Sequence, residues 1–359
     1  MSIAQGALAP RTLGFAAFIV GLCVTPLEYP GFWLASLAGW AIVTPMASTL
    51  VGLVATWLVA ALVRAPAGGP AASLPRPYLA LVALVLMAGS AENLAIFAHV
   101  SASVQATRVP IAYLAAFTGS AAAWAAYLGA RGVGRVMGLL MPLIVLGLLI
   151  VYASPLINFD WQNIARAPGR PAWPPDPVTL ASLGVVRGFL VLLVWRGQGT
   201  DLRPMRAAVL WGQAAAGLLI TASAFISQGV LGVPLAQTLR FPFVATSGTV
   251  QWQWLPTSSL LTLLMVVWQA VAFCVVAAYI ALATDALRQM LPVLGRRSAF
   301  ALAVAATAAA AIDVPAAVID TVTWLFNAAV LAVGLVLPAL VLVARRRPAA
   351  VAGPRVGPA

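Results

Sequence analysis

Three ionisable side chains lie inside long apolar runs and are the best candidates for chemistry in this chain. Glu92 and His99 are seven residues apart, which places them on one face of a helix, and Arg187 lies in a later apolar run. An ionisable group within a bilayer costs about 2.5–3.5 kcal/mol, so it normally faces a cavity or a partner. Glu92 could bind a substrate amine, act as a proton site, or form a structural ion pair with Arg187. Arg187 could attract a carboxylate or snorkel to a membrane surface.

Two of the apolar runs also contain residues that interrupt a helix. The first run reads IVGLCVTPLEYPG, and its Pro26 lacks a backbone donor and clashes with the preceding turn. The later run contains Arg187 and Gly188 and ends in WRGQG. Paired broken helices are typical of transporter binding sites, although a proline can also do no more than kink a helix. The predicted ligand-binding residues are Gly21, Leu22, Cys23, Thr25, Glu92, Arg187 and Gly188, and Glu92 and His99 are predicted to share a polar or proton network.

The composition indicates that lipid surrounds most of this chain. Of its 359 residues, 63% are apolar and 8% are charged, whereas soluble domains carry roughly a quarter charged residues. The net charge of +12 comes from arginines that flank the apolar runs, which is typical of a membrane protein and excludes a nucleic-acid surface. Enzyme, nucleotide-binding and zinc-binding motifs are absent from the sequence, so we expect no enzyme, no cofactor and no metal site.

Ten apolar runs could form transmembrane helices, which need about 20 apolar residues each. The predicted spans are 12–37, 40–63, 78–103, 109–129, 132–155, 178–197, 205–231, 258–287, 299–312 and 316–344. With a cytoplasmic N-terminus, fifteen of the arginines fall in inner segments and four in outer segments, which is a strong positive-inside bias. We therefore predict an all-α membrane protein with both termini in the cytoplasm. Residues 1–347 would form one polytopic membrane domain and residues 348–359 a disordered cytoplasmic tail.

Four stretches resemble, in the same order, the parts of one known family. The break in that family's first helix is similar to FIVGLCVTP, and its fourth and fifth helices are similar to TRVPIAYLAAFTGSAAAWAAYLGARGVGRVMGLLMPLIVLGLLIVYASPLINFDWQNIARAP. Its sixth and seventh helices are similar to RGFLVLLVWRGQGTDLRPMRAAVLWGQAAAGLLI, and a Phe-Pro segment before its eighth helix to TLRFPFVATSGTVQ. The chain thus resembles the spore germination permeases, the polytopic subunits of nutrient germinant receptors, in the amino acid–polyamine–organocation superfamily.

The resemblance implies an inverted five-plus-five helix repeat with broken helices 1 and 6 and a ligand site near helices 1, 3, 6 and 8. It implies a nutrient ligand, often an amino acid, and assembly with a larger membrane subunit and a lipoprotein in the bacterial cell membrane or spore inner membrane. The family often has a small residue where this chain has Cys23 and an acidic residue where it has Phe189. A proton-coupled amino acid transporter that acts without partner subunits is the alternative.

The hypothesis that follows is a small zwitterion held at the two helix breaks. Half-helix N-termini and unwound amides would hold its carboxylate, with Arg187 as a helper. Glu92 would face its amine.

Overall fold

The computed structural model describes residues 8–23, 25–26, 33, 41–63, 74–105, 109–165, 180–195, 202–251, 260–312 and 316–346. The regular elements formed by these residues are helices. The main ones are α1 (Pro10–Leu22), α2 (Val43–Val63), α3 (Arg76–Gln105), α4 (Ile111–Tyr127), α5 (Gly129–Ala153), α6 (Phe189–Trp195), α7 (Leu202–Leu231), α8 (Leu260–Met290), α9 (Ser298–Ala310) and α10 (Ala316–Leu331). A π-helical turn at Ala332–Val336 and a last helix at Leu337–Arg346 continue α10. The predicted tail, 348–359, lies outside the described residues.

Six helices in the described part of the chain are long and apolar enough to cross a membrane. They are α2, α3, α5, α7, α8 and α10 with its continuation, whereas α1 and α9 are shorter apolar helices. Large apolar side chains point outward from α4, α5 and α7, as at Phe117, Leu139 and Trp211, which are 74%, 79% and 78% exposed. A surface of this kind is stable in lipid and not in water. The prediction of an all-helical membrane protein is therefore confirmed, and the arrangement of ten spans stays a prediction.

Helix α8 lies at the centre of the molecule. Its side chains are buried around the whole circumference from Val271 to Ala286, except for Phe273 and Asp285, which are half-buried, as expected for a helix surrounded by other helices. It packs against α3, α4 and α5, while α7 packs against α1 and α2. Small residues allow the closest of these contacts, because a Cβ on Gly212 of α7 would come within 2.9 Å of the Phe18 amide of α1. Both α1 and α6 therefore pack against α7 and α8.

The described parts of the first and sixth predicted spans each contain non-helical residues, at Cys23 in the first and at 185–188 in the sixth. In the span 12–37, α1 ends at Leu22, and residues 27–32 and 34–37 lie outside the described residues. In the span 178–197, a 3₁₀ turn at Ser182–Gly184 is followed by four non-helical residues before α6 begins. We name residues 180–195 the α6 region. Both interruptions lie next to the ionisable residues identified from the sequence.

The segments predicted to lie outside the membrane also contain short helices. A 3₁₀ helix at Ser154–Asn158 and an α-helix at Trp161–Ala165 follow α5. Between α7 and α8, the helices Val233–Ala236 and Pro242–Gly248 form. The second of these buries Phe243 against Tyr152 and Trp268, with ring centroids 4.7 and 6.4 Å apart. It therefore packs into the helix bundle.

Candidate functional site

Helix α1 ends where Pro26 requires it to end. A proline at position 26 cannot donate a hydrogen bond to the carbonyl of Leu22, four residues earlier, and its ring clashes with that carbonyl. The residue after Leu22 is Cys23, whose φ of 34° and ψ of −138° leave the helical region. A positive φ is uncommon for a residue that has a Cβ, and strain of this kind often lies at functional sites. The chain therefore changes direction sharply at Cys23.

The α6 region contains the second interruption, and Ser48 of α2 stabilises it. The Ser48 hydroxyl donates to the carbonyl of Leu183 at 3.0 Å and accepts from the amide of Val186 at 3.2 Å. Irregular backbone within a bilayer is stable only where neighbouring protein groups replace the missing helical hydrogen bonds. Ser48 does this for the non-helical residues that carry Arg187.

The two interruptions lie against each other. A Cβ on Gly188 would meet the carbonyl of Ala17 in α1 and would come within 2.7 Å of Cγ of Gln213 in α7. A Cβ on Gly21 would come within 3.9 Å of the Gly188 amide nitrogen. Gly188 therefore allows the α6 region to approach the backbone of α1. The Gln213 amide is itself held by α2, where it donates to the carbonyl of Gly52 at 3.0 Å.

A buried ion pair joins the α6 region to α3. Arg187 Nη1 lies 3.2 Å from Glu92 Oε2, and both side chains are fully buried. The other terminal nitrogen, Nη2, donates to Sγ of Cys23 at 2.9 Å, and that sulfur lies 3.2 Å from the hydroxyl of Thr25. One guanidinium group thus connects α3 with the residues that follow α1. Burial strengthens such a contact but also removes both charges from water, so the pair requires accurate geometry.

Aromatic rings from α8 and α10 cover the guanidinium. The Arg187 guanidinium carbon lies 4.4 Å from the ring centroid of Phe326 and 6.0 Å from that of Tyr279. These distances allow cation–π attraction. Both rings pack against Gly89, one helical turn before Glu92, where a Cβ would come within 2.6 Å of the Phe326 ring. The pair therefore lies where α1, α3, the α6 region, α8 and α10 meet.

The same region contains buried polar atoms whose hydrogen-bonding capacity is not used. Among the described residues, Glu92 Oε1, Asn93 Oδ1 and the Tyr279 hydroxyl form no hydrogen bond of good geometry. The Thr323 hydroxyl of α10 lies beside the Glu92 carboxyl. Buried polar groups are nearly always hydrogen-bonded, so exceptions call for an explanation such as a ligand or water. The unused carboxylate oxygen could accept a further donor, such as an ammonium group.

The structure brings most of the predicted site residues together. Cys23, Thr25, Glu92 and Arg187 form one chain of polar contacts. Gly21 and Gly188 lie at the contact between α1 and the α6 region, and Leu22 is fully buried at the end of α1. His99 is half-buried on α3, about 10 Å along the helix axis from Glu92. Its predicted network with Glu92 stays a prediction.

Several residues of the site were missed by sequence reasoning. Phe326 and Tyr279 are aromatic residues within apolar helices, and nothing in the pattern separates them from ordinary core residues. Ser48 and Gln213 are single polar residues in apolar runs. Such residues normally form hydrogen bonds between helices, and this signal could have identified them. The partners of Ser48 in the α6 region and of Gln213 in α2 could not have been identified in this way.

A second ion pair lies at the surface. Arg240, between α7 and α8, lies 3.1 Å from Asp320 at the start of α10, and their side chains are 34% and 38% exposed. Arg240 also lies 5.5 Å from the ring centroid of Phe241. Because solvent screens an exposed pair, loss of one partner here should cost much less than loss of one partner of the buried pair.

The long apolar helices are those of a protein that crosses the membrane several times. The model of the spore germination protein family matches residues 78–314, well over half of the chain. The chain belongs to the spore germination protein family, and the resemblance seen in the sequence is confirmed. The matched segment contains Glu92 and Arg187. No curated protein matches the chain.

Proposed function

We propose that this protein binds a small zwitterionic nutrient, most simply an amino acid, at the Glu92–Arg187 pair and signals germination through partner subunits. The observation that carries the proposal is the fully buried ion pair at the contact between the end of α1 and the α6 region. Membership of a spore germination family supports a germination-related, permease-like role. The proposal adds the ligand, the site and the receptor role to that coarser statement.

A zwitterion matches the charges of this pair. Its ammonium group would bind Glu92 and its carboxylate would bind Arg187, so that two new ion pairs replace the internal one. The unused Glu92 Oε1 gives the ammonium an acceptor before the internal pair separates. A ligand with a single charge would leave either Glu92 or Arg187 buried without a counterion, which typically costs about 3–5 kcal/mol. The site should therefore select ligands that carry both charges.

The contacts between helices support an inverted repeat, in which α1–α5 correspond to α6–α10. If each helix is replaced by its counterpart, α1 becomes α6 and α7 becomes α2. The contact between α1 and α7 therefore requires a contact between the α6 region and α2, and both contacts are present. Contacts of α8 with α4 and α5 require contacts of α3 with α9 and α10, and these are also present. The helices α3 and α8 are each other's counterparts, as are α4 and α9, so the α3–α8 and α4–α9 contacts are unchanged by the exchange. In this arrangement, α1 and the α6 region are equivalent, and ligands bind where such equivalent helices are interrupted.

The signal would be a shift between two arrangements of the helices. A ligand can favour one conformation only if it binds that conformation more tightly than the other. Splitting the Glu92–Arg187 pair would provide this difference, because Arg187 holds the α6 region against α3 and against Cys23. Partner subunits, which the family resemblance implies are a larger membrane subunit and a lipoprotein, would respond to the new position of the α6 region.

The test is ligand binding by purified protein, combined with germination of spores that carry the same variants. A panel of amino acids, amines, carboxylic acids and sugars is titrated against the wild type, Glu92→Gln and Arg187→Met. Gln269→Leu is the matched control, because it removes a hydrogen bond to Thr118, between α8 and α4, and leaves the ion pair intact. We expect an amino acid to bind the wild type and the control, and to lose at least tenfold in affinity in both charge variants.

Two outcomes would change this proposal. Unchanged amino acid affinity in Glu92→Gln would mean that the ion pair is structural and that the ligand binds elsewhere. Uptake of the amino acid by wild-type protein alone in proteoliposomes, with no effect of the variants on germination, would favour the proton-coupled transporter.

A further inference from the structure

Two connectors meet, the one between α4 and α5 and the one between α8 and α9. The connector between α4 and α5 turns at Leu128 and Gly129. The φ of Gly129 is +74°, a backbone conformation that favours glycine. Arg296, in the connector between α8 and α9, donates from Nη1 to the Leu128 carbonyl at 3.4 Å. A Cβ on Gly129 would come within 3.3 Å of the guanidinium carbon of Arg296. The two connectors therefore form one corner of the protein.

This corner carries four exposed arginines, and we name them the arginine corner: Arg131, Arg135, Arg296 and Arg297. Residues 128–137 and 290–300 contain no acidic residue, and the carboxylate that attracts Arg296 is that of Asp285 on α8, which is shared with Arg288. Arg131 and Arg135 are four residues apart on α5, and like charges at this spacing repel each other. Arg296 and Arg297 are adjacent in the chain. An anion that binds between the arginines would remove this repulsion.

Three aromatic rings lie beside the arginine corner. Tyr127 and Phe300 have ring centroids 5.2 Å apart, and Trp124 lies 6.1 Å from Tyr127 and 6.4 Å from Phe300. Trp124 is 62% exposed and Phe300 is 36% exposed. Exposed aromatic residues at the ends of apolar helices normally lie at the level of the lipid headgroups. The arginine corner is therefore at the membrane–water interface, and the positive-inside bias places it at the inner leaflet.

We propose that the arginine corner binds the headgroup of an anionic phospholipid, preferably one with two phosphates. Guanidinium groups bind phosphate oxygens with paired hydrogen bonds, and basic pockets between helices on the inner side of a membrane are suited to such headgroups. The acyl chains would lie along Trp124 and Phe300. The aromatic cluster favours a lipid over an acidic protein segment, because the site combines a charged part with an apolar part that faces the bilayer. The lipid would fix the contact between the α4–α5 and α8–α9 connectors.

The test measures lipid binding to the full chain in an uncharged detergent. Cardiolipin, phosphatidylglycerol and phosphatidylcholine are titrated, and both the retained lipid, by native mass spectrometry, and the melting temperature are recorded. The variant is Arg296→Gln/Arg297→Gln. The control is Arg76→Gln/Arg203→Gln, which removes the same charge from two exposed positions at the starts of α3 and α7. Each arginine near a lipid surface contributes about fivefold in affinity, so we expect about 25-fold weaker cardiolipin binding in the variant and little change in the control.

The remaining arms separate a lipid from other anions. Inorganic phosphate at the same phosphate concentration should leave the melting temperature unchanged, because it lacks the apolar part of the ligand. If the first variant does not fold, Arg131→Gln/Arg135→Gln provides the same test. Equal losses in variant and control would mean a general charge effect and would overturn the proposal. Tighter binding of polyglutamate than of cardiolipin would overturn it in favour of an acidic protein partner.

Discussion

Removal of one charge from the Glu92–Arg187 pair should destabilise the protein much more than removal of both charges. At 3.2 Å and an effective dielectric constant of about 20, the attraction is about 5 kcal/mol. Glu92→Gln alone leaves Arg187 buried without its counterion, and Arg187→Met alone does the same to Glu92, so each should lose about 3–5 kcal/mol. The double variant has no buried charge, and its methionine can pack against Phe326. It should lose about 2 kcal/mol or less.

The assay is a double-mutant cycle on the free energy of unfolding, measured by denaturant titration in mixed micelles. The predicted signature is non-additivity, with the double variant more stable than either single variant by at least about 1 kcal/mol. The reasoning fails if the two single losses simply add in the double variant, because the charges would then act independently. It fails as well if both single variants are as stable as the wild type. Amino acid binding should be lost in all three variants, which separates the role in stability from the role in recognition.

Further variants at Gly188, Cys23 and Asp320 test the contacts around the buried pair and its contrast with the exposed pair. Gly188→Ala should destabilise by about 1–3 kcal/mol, because its Cβ would collide with α1 and α7, whereas Gly138→Ala, with nothing within 4 Å, should be neutral or slightly stabilising in a melting experiment. Cys23→Gly should stay within about 1 kcal/mol of the wild type, because relief of the positive φ offsets the lost sulfur contact. Cys23→Val should unfold several degrees lower. Asp320→Asn should cost less than about 1 kcal/mol, because its partner Arg240 is also exposed, and a larger loss in denaturant titration would contradict the contrast drawn with the buried pair.

The sequence predicted the ionisable part of the site because ionisable residues in apolar helices are rare. Glu92 and Arg187 could be identified from their cost in a bilayer alone, and an ion pair between them was one of the stated alternatives. The bounds of α3 and α7 were predicted to within three residues, since both helices are long apolar runs with few breaks. Predictions of this kind depend only on the residue types along a single helix, and these can be read directly from the sequence.

The missing parts of the site depend on contacts between helices. Phe326 and Tyr279 cover the guanidinium only because α8 and α10 cross α3 at Gly89. The sequence predicted a helix break at Pro26. The chain leaves the helix three residues earlier, at Cys23, since the proline acts on the carbonyl four residues before it. A cysteine with a positive φ cannot be predicted from local preferences. It is held in this conformation by contacts with Arg187 and Thr25.

The proposed recognition role would explain why two charges are buried here, which a role in stability alone would not. Taking two charges out of water costs nearly as much as their attraction returns, so apolar side chains of similar volume would hold α3 and the α6 region together equally well. Cys23, which accepts a hydrogen bond from Arg187, also has a strained backbone conformation, and this strain reduces stability further. A zwitterion would use the unpaired oxygen and both charges in a single binding event. The arrangement that is inefficient as a structural contact is therefore suited to a site that exchanges an internal counterion for a ligand.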